Sequence, residues 1–227
     1  MTTKNKQINR IPLFILIVGI LACMGIGYIV YSFAHGQSII VKQPPIASGA
    51  GSTNADVAVE ASDETPVAVD TLSSYKVPAD APRILKIDSL GIAARVQPMG
   101  VNSIGAIQAP VNIYDSGWYS GSSKPGAYGA MFIDGHASGA TRQGLFAYLD
   151  TLQNGNIISV EKGSGEVLQY KVVHVDTVSK DAVDMNKALR TYNNATEGLN
   201  LMTCTGKWIA SQKTYDNRVI VYTERGI

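Results

Sequence analysis

Three side chains in this sequence have the types and placement for covalent acyl chemistry: the thiol of Cys204, the imidazole of His136 and the guanidinium of Arg218. A thiol can attack a carbonyl carbon, but an unassisted one, with a pKa of about 8.5, is only a few per cent thiolate at neutral pH. It needs a partner that takes its proton, and the reaction needs a donor for the oxyanion that forms. The chain holds only two cysteines, Cys23 in the middle of a long apolar run and Cys204 near the C-terminus. If that run crosses a membrane, the two cannot pair. Cys204 is then an unpaired thiol in an exported domain, where thiols are usually paired or absent. A free cysteine is also often just a small buried hydrophobe, and that reading stands beside the nucleophile.

The surroundings of the three residues favour chemistry. Cys204 ends the apolar stretch Leu199-Asn200-Leu201-Met202-Thr203-Cys204 and is followed by Thr205-Gly206. Strand ends that run into loops present reactive groups on a rigid frame. Of the three histidines, His35 borders the apolar run, and His174 lies inside a long strand as an ordinary strand histidine. His136 closes Met131-Phe132-Ile133-Asp134-Gly135-His136, a strand end beside glycine, where a ring can face a groove and exchange protons. Arg218 opens the final strand. If residues 199–204 and 218–224 are antiparallel neighbours, Arg218 begins its strand beside the end of the other. A guanidinium there can donate to an oxyanion or to a substrate backbone, although a solvated edge arginine fits the same spacing.

These residues need a frame, and the chain divides into parts that supply one. Residues 1–10 form a short basic N-terminus with Lys4, Lys6 and Arg10 and no acid. Residues 11–34 carry no formal charge; as a helix they span roughly 36 Å, enough to cross a hydrocarbon core of about 30 Å. The basic flank places the N-terminus in the cytoplasm and the rest outside. A cleaved signal peptide competes, with Ser32-Phe33-Ala34 as a cleavage site, but the run exceeds the usual length of such a segment. A buried core helix fits the all-round apolarity less well. Residues 35–81 are rich in Ala, Ser, Val, Pro and Thr, with Tyr75 the single aromatic, and read as an extended, mostly disordered stalk.

Residues 82–227 are long enough for a core of their own. Short β-rich runs dominate: two in 82–100 split at Ser89–Gly91, one ending at Gly135-His136, a hairpin around Lys162–Gly165, and the two that carry Cys204 and Arg218. Helical pattern is confined to Gly144–Leu152 and Asp184–Tyr192. The fold class is therefore mainly all-β, a mostly antiparallel sheet or closed barrel with a few short helices, preceded by a single N-terminal transmembrane helix.

Net charge supports this division. The total of +1 excludes a protein that works as a polycation on nucleic acid. It resolves into +3 through His35, −4 in the following stretch to Ala81 (two bases, six acids) and +2 in the remainder (14 bases, 12 acids). Two cysteines also exclude a disulfide-rich scaffold and a four-cysteine zinc site.

Together the residues resemble the sortases, membrane-anchored cysteine transpeptidases of Gram-positive-type cell surfaces. The family carries TLxTC at a strand end; here the stretch is Asn200-Leu201-Met202-Thr203-Cys204, departing at the first position, where Asn200 replaces threonine. That departure bears on strand packing rather than chemistry. The order His136, Cys204, Arg218, the glycine before the histidine and the anchor with its stalk also match. The resemblance implies an eight-stranded β-barrel with a groove over Cys204. It implies as substrates exported proteins bearing C-terminal sorting signals of LPxTG type, and as acceptor the amine of a peptidoglycan precursor or a pilin lysine. Cys204, His136 and Arg218 would be catalytic. Thr203 would be a secondary substrate contact beside the thiol, and Trp208, in the loop Thr205–Asn217, would help shape substrate choice. No cofactor is required. Some family members bind calcium through clustered acids, but the acids here are dispersed and no metal is expected.

Three other readings are weaker. An L,D-transpeptidase-like enzyme would carry a histidine just before its cysteine and an arginine almost adjacent. A papain-type protease would place its cysteine before its histidine, at a helix start. A non-catalytic, membrane-tethered β-domain that binds surface proteins would leave Cys204 buried and inert.

Overall fold

Eight runs rich in Val, Ile, Leu and Tyr become strands: β1 (Pro82–Ile87), β2 (Ile92–Met99), β3 (Ser116–Tyr119), β4 (Gly129–Gly135), β5 (Ile157–Lys162), β6 (Val167–Ser179), β7 (Glu197–Ile209) and β8 (Thr214–Arg225). In the computed structural model, which describes residues 62–226, they close into a barrel in the order β1-β2-β3-β4-β7-β8-β6-β5. Closure leaves no unpaired sheet edge. The pairings are antiparallel except β2 with β3 and β4 with β7, which run parallel. The proposed membrane helix 11–34 and residues 35–61 of the proposed stalk lie outside the described residues. Among the described residues, no helix is long and apolar enough to cross a membrane.

Two-residue periodicity sorts the side chains of the site-bearing strands onto two faces. Met131 and Ile133 of β4, Leu199 and Leu201 of β7, and Val219 and Val221 of β8 fill the barrel interior with Leu85, Val96, Phe146 and Tyr170. The intervening residues face outward. There Phe132, Ile220 and Tyr222 form a second apolar cluster with Ala188, flanked by Met202. The β6–β7 crossover supplies Ala188 from the short helix α2 (Met185–Ala188), after α1 (Val69–Ser74) earlier in the chain. Asp184 caps α2, accepting from the backbone N–H groups of Asn186 and Lys187.

Asn200 locks that crossover down. It is fully buried, and its amide nitrogen donates to the carbonyls of Ala188 (2.7 Å) and Arg190 (2.8 Å). The first is a carbonyl that the helix end leaves without an internal partner, and the second lies in the turn just beyond it. The position that departs from TLxTC thus has a packing role.

Two expectations change, and one strand is new. Residues 144–152 form turns and a single 3-10 turn (Leu149–Thr151) rather than a helix. The backbone of the first three residues is bonded elsewhere: Gly144 N–H donates to Ala137 O, Leu145 N–H to Ile113 O and Phe146 N–H to His136 O. Strand β3, four residues with a central glycine, gave no periodic signal. The segment between Cys204 and Arg218 is mostly a β-ribbon, with only residues 210–213 forming the turn.

The chain also meets the barrel earlier than its composition suggests. Residues 62–81, read from composition as the end of a flexible stalk, lie against the barrel. Tyr75 donates its hydroxyl to Val96 O (2.9 Å), and Arg83 donates to the carbonyls of Leu72 (2.9 Å) and Tyr75 (3.1 Å). One aromatic is too little to register in composition, yet its hydroxyl has a specific backbone acceptor.

Candidate active site

Cys204 and Arg218 stand directly opposite each other in the antiparallel pair β7–β8. Neither is at a strand end, because both strands continue as the ribbon. The ladder breaks just after Cys204: Thr205 pairs with Asn217 and Trp208 with Tyr215, so Gly206 and Lys207 oppose Asp216 alone. This is a β-bulge, a device that bends a strand and re-aims neighbouring side chains. Gly206 has φ +89°, and a Cβ there would lie 2.1 Å from an Asp216 carboxylate oxygen. That same oxygen accepts from Lys207 N–H at 2.8 Å. Cys204 is a free thiol of intermediate exposure, unlike an inert core cysteine.

The Arg218 guanidinium is held by neutral acceptors. Its Nη1 donates to the carbonyls of Tyr215 (3.0 Å) and Asn217 (2.9 Å), and its Nη2 to Thr214 Oγ1 (3.0 Å). These bonds orient the fork without neutralising it, so its positive charge stays available for a developing anion.

His136 arrives from the other side. β4 runs parallel to β7 with Asp134 level with Met202. That register ends two residues short of both His136 and Cys204, and Thr203 Oγ1 donates to the carbonyl of Gly135 (2.8 Å), the last residue of β4, just before His136. The ring's Nε2 lies 2.7 Å from Pro110 O. A carbonyl can only accept, so Nε2 carries hydrogen and Nδ1 is the free basic position of the neutral ring. The segment beyond Pro110 is itself tied down: Arg95 makes a two-pronged contact with Asp115 (2.8 and 2.7 Å), and Asn112 donates to Asp63 Oδ2 (3.0 Å).

The N-terminal strap continues from there. Glu64 accepts from Thr141 N–H (2.9 Å) and Thr141 Oγ1 (2.5 Å) in the loop after His136. Those bonds hold its carboxyl below the usual range, as bonds from Thr65 do for Asp63. A further link, Ser138 Oγ to Tyr215 OH at 2.8 Å, joins the His136 loop to the ribbon that carries Arg218.

Of the other residues singled out from sequence, Thr203 is 5% exposed and its hydroxyl is bonded to Gly135 O, a positioning role for the His136 strand end. Trp208 is 55% exposed, with Tyr215 edge-on at 5.3 Å, and so remains open to a partner. His174 stacks on Tyr192 at 5.0 Å and faces Tyr222, which places it in the apolar outer cluster. Sequence reasoning passed over Pro110, Ser138, Tyr215 and Asp134. Only Asp134 had a signal, a charge in an otherwise apolar strand two residues before His136. Among the described residues, no group of three or more His, Cys, Asp or Glu side chains could hold a metal ion.

Comparison with known proteins identifies the family. The Sortase domain family matches residues 85–226. Among solved structures, a lid mutant of sortase A from Corynebacterium diphtheriae is 19% identical with a TM-score of 0.50, covering 69% of this chain and 75% of that one. Sortase C1 of Group B Streptococcus Pilus Island 1 is 17% identical with a TM-score of 0.50, covering 70% of each. The Group B Streptococcus Pilus Island 1 sortase C2 is 23% identical with a TM-score of 0.49, covering 68% and 78%. At these identities the likeness is one of fold. No curated protein gives a significant sequence match. With more than half of its length matched by that one domain, the chain belongs to the sortase family, whose members are cysteine transpeptidases.

Proposed function

We propose that this protein is a membrane-anchored transpeptidase that cleaves an LPxTG-like sorting signal of exported proteins and transfers the acyl part to an amine of the cell wall or of a pilin. The observation that supports it best is the pairing of Cys204 with Arg218 across β7 and β8, with β4, the strand that leads into His136, in parallel register on the other side of β7. In this reading the Cys204 thiolate attacks the carbonyl carbon of the scissile amide. The N–H groups of Arg218 not held by Tyr215, Asn217 and Thr214 stabilise the oxyanion. The imidazolium of His136 gives its proton to the departing nitrogen as the C–N bond breaks, leaving a thioester on Cys204. The incoming amine then attacks the thioester, His136 takes its proton, and the thiolate leaves. Thr203 acts by holding Gly135, and so His136, in register. Trp208 offers an exposed apolar face to the substrate.

The basic N-terminus and residues 11–34 would anchor the chain in the cell membrane with the barrel outside. The test is mass spectrometry of the full chain in detergent micelles with a sorting-peptide library and an amine. The reading expects a thioester at Cys204, a peptide–amine product, and loss of both in Cys204→Ala with the thermal transition retained. Full activity in Cys204→Ala would overturn it. A thiol that resists a small methanethiosulfonate until unfolding would favour the non-catalytic binding domain.

A further inference from the structure

The steps above leave Asp134 without a role, although it lies beside the reacting groups. It precedes His136 by two residues on β4, and its partner in the parallel register, Met202, precedes Cys204 by two on β7. All four occupy the same outer face. From strand rise and spacing, the Cα atoms of Asp134 and Cys204 are about 8 Å apart. On its other side Asp134 pairs with Gly117 of β3. A side chain at Gly117 would strike Asp134 Oδ1 at 2.7 Å, Met99 Cγ at 2.7 Å and Pro110 Cδ at 3.0 Å. The carboxyl therefore leans over a bare glycine, between a methionine and the proline whose carbonyl holds His136.

Its Oδ1 is shut off from solvent and has no hydrogen-bond partner. Native structures leave few buried polar atoms in that state, because the desolvation cost is not recovered. The other such atom among the described residues, Asn200 Oδ1, belongs to an amide whose nitrogen already makes two bonds, so its cost comes with a gain. Asp134 has no comparable return. Burial pushes its carboxyl up to about 7, and no neighbouring charge contributes to the shift. A small or apolar side chain would fill the slot without cost, so the acid makes physical sense only if a donor arrives with the substrate.

We propose that Asp134 is a specificity determinant whose carboxylate receives a cationic nitrogen, a lysine ammonium or arginine guanidinium, delivered when a substrate covers the outer face of β4 and β7. The proposal rests on the transpeptidase reading and deepens it. A substrate lying on that face excludes water, which strengthens a charged hydrogen bond and raises the cost of leaving the acid unpaired. A cationic substrate is then favoured over its neutral isostere by about ten- to a hundredfold in kcat/KM. The cation can come from a side chain of the sorting peptide or from the amine acceptor, which carries an ammonium before it reacts.

The experiment separates those sources. The full chain in detergent micelles, as wild type, Asp134→Asn and Asp134→Ala, is given sorting peptides with Lys or the isosteric Met at each position around the scissile bond, with one fixed acceptor. A second series fixes a neutral peptide and compares a dibasic with a monobasic amine. Thermal melts confirm that each variant folds. The expected result is a Lys-over-Met preference of tenfold or more at one peptide position in the wild type, lost in both variants while Met peptides react as before. A loss confined to the KM of the dibasic amine would support the proposal with the acceptor as the source. Equal preferences in wild type and variants, or a uniform fall in kcat for every substrate, would overturn it. A wild type that forms no thioester with any peptide would overturn the transpeptidase reading itself, and the proposal with it.

Discussion

The two flanks of Cys204 are built in different ways. On the β8 side, Arg218 is placed by the register of a single antiparallel ribbon, and its fork is held by residues within four positions of itself. On the β4 side, His136 depends on distant parts of the chain: Pro110 holds its ring, Thr203 its strand end, and Glu64 and Tyr215 the loop that follows. One flank is local and self-contained, the other assembled from non-contiguous segments. A group whose orientation comes from its own hairpin is insulated from distant mutations. A group held by four separate segments can be disturbed from any of them.

The largest effects should come from deleting the groups themselves. His136→Ala and Arg218→Ala are each expected to lower kcat/KM on a sorting peptide by about 10²–10⁴-fold while leaving the melting transition nearly unchanged. Arg218→Lys should recover little, because an ammonium cannot reproduce the planar fork. Peptide-cleavage kinetics beside thermal melts check this, and retained activity in either alanine variant would mean the wrong partner has been named.

Supporting positions should separate the flanks. Thr203→Val keeps the shape and removes the bond to Gly135 O. It should cost about 1 kcal/mol of stability and about tenfold in kcat by releasing His136. Gly206→Ala strains the bulge on the ribbon side and should destabilise by about 1–3 kcal/mol. Its effect on rate should follow ribbon distortion, with the Arg218 Nε–H NMR resonance moved and that of the His136 ring kept. If Thr203→Val moved the Arg218 resonance as much as the His136 ring, the contrast between the flanks would fail.

Smaller effects depend on pH. Asp134 has its folded pKa raised to about 7 from an ordinary 3.8. Its ionised form therefore opposes folding increasingly as pH rises through that interval. Asp134→Asn should raise the melting temperature more at pH 8 than at pH 4, and equal shifts would contradict the assigned cause. The smallest effect belongs to Glu64, whose folded pKa lies below 4.5 because of its bonds from Thr141. Its contribution is complete above that value and is lost as pH falls through the lower folded one. The protection factor of the Thr141 amide, its exchange corrected for the intrinsic pH dependence, should fall in acid before the barrel opens, and Glu64→Gln should remove that dependence.

The same contrast governs what could be read in advance. The β1–β2 unit, the β5–β6 hairpin and the strands carrying Cys204 and Arg218 were legible, because period-two patterning and turn glycines are local signals. β3 was not, since four residues with a central glycine carry no period. Residues 144–152 look helical by pattern, but the N–H groups of 144–146 bond to Ala137, Ile113 and His136, and those of 147, 149, 151 and 152 close tight turns three residues back instead of an α-helical ladder. Residues 62–81 read as stalk because low aromatic content signals disorder, whereas a few specific bonds through Asp63, Glu64 and Tyr75 tie them down.

Residue types and chain order by themselves determined the chemistry on offer: the Cys204 thiol, the His136 imidazole and the Arg218 guanidinium, in an order shared with a known family. Tertiary structure alone decided how they meet. Parallel pairing of β4 with β7 brings segments some seventy residues apart to the same level, and the bulge at Gly206 turns the ribbon just past the thiol. It also decided that Asp134 turns one carboxylate oxygen, Oδ1, into a buried site without a partner. Burial and register depend on which distant segments pack together, and a one-dimensional pattern carries no record of that choice.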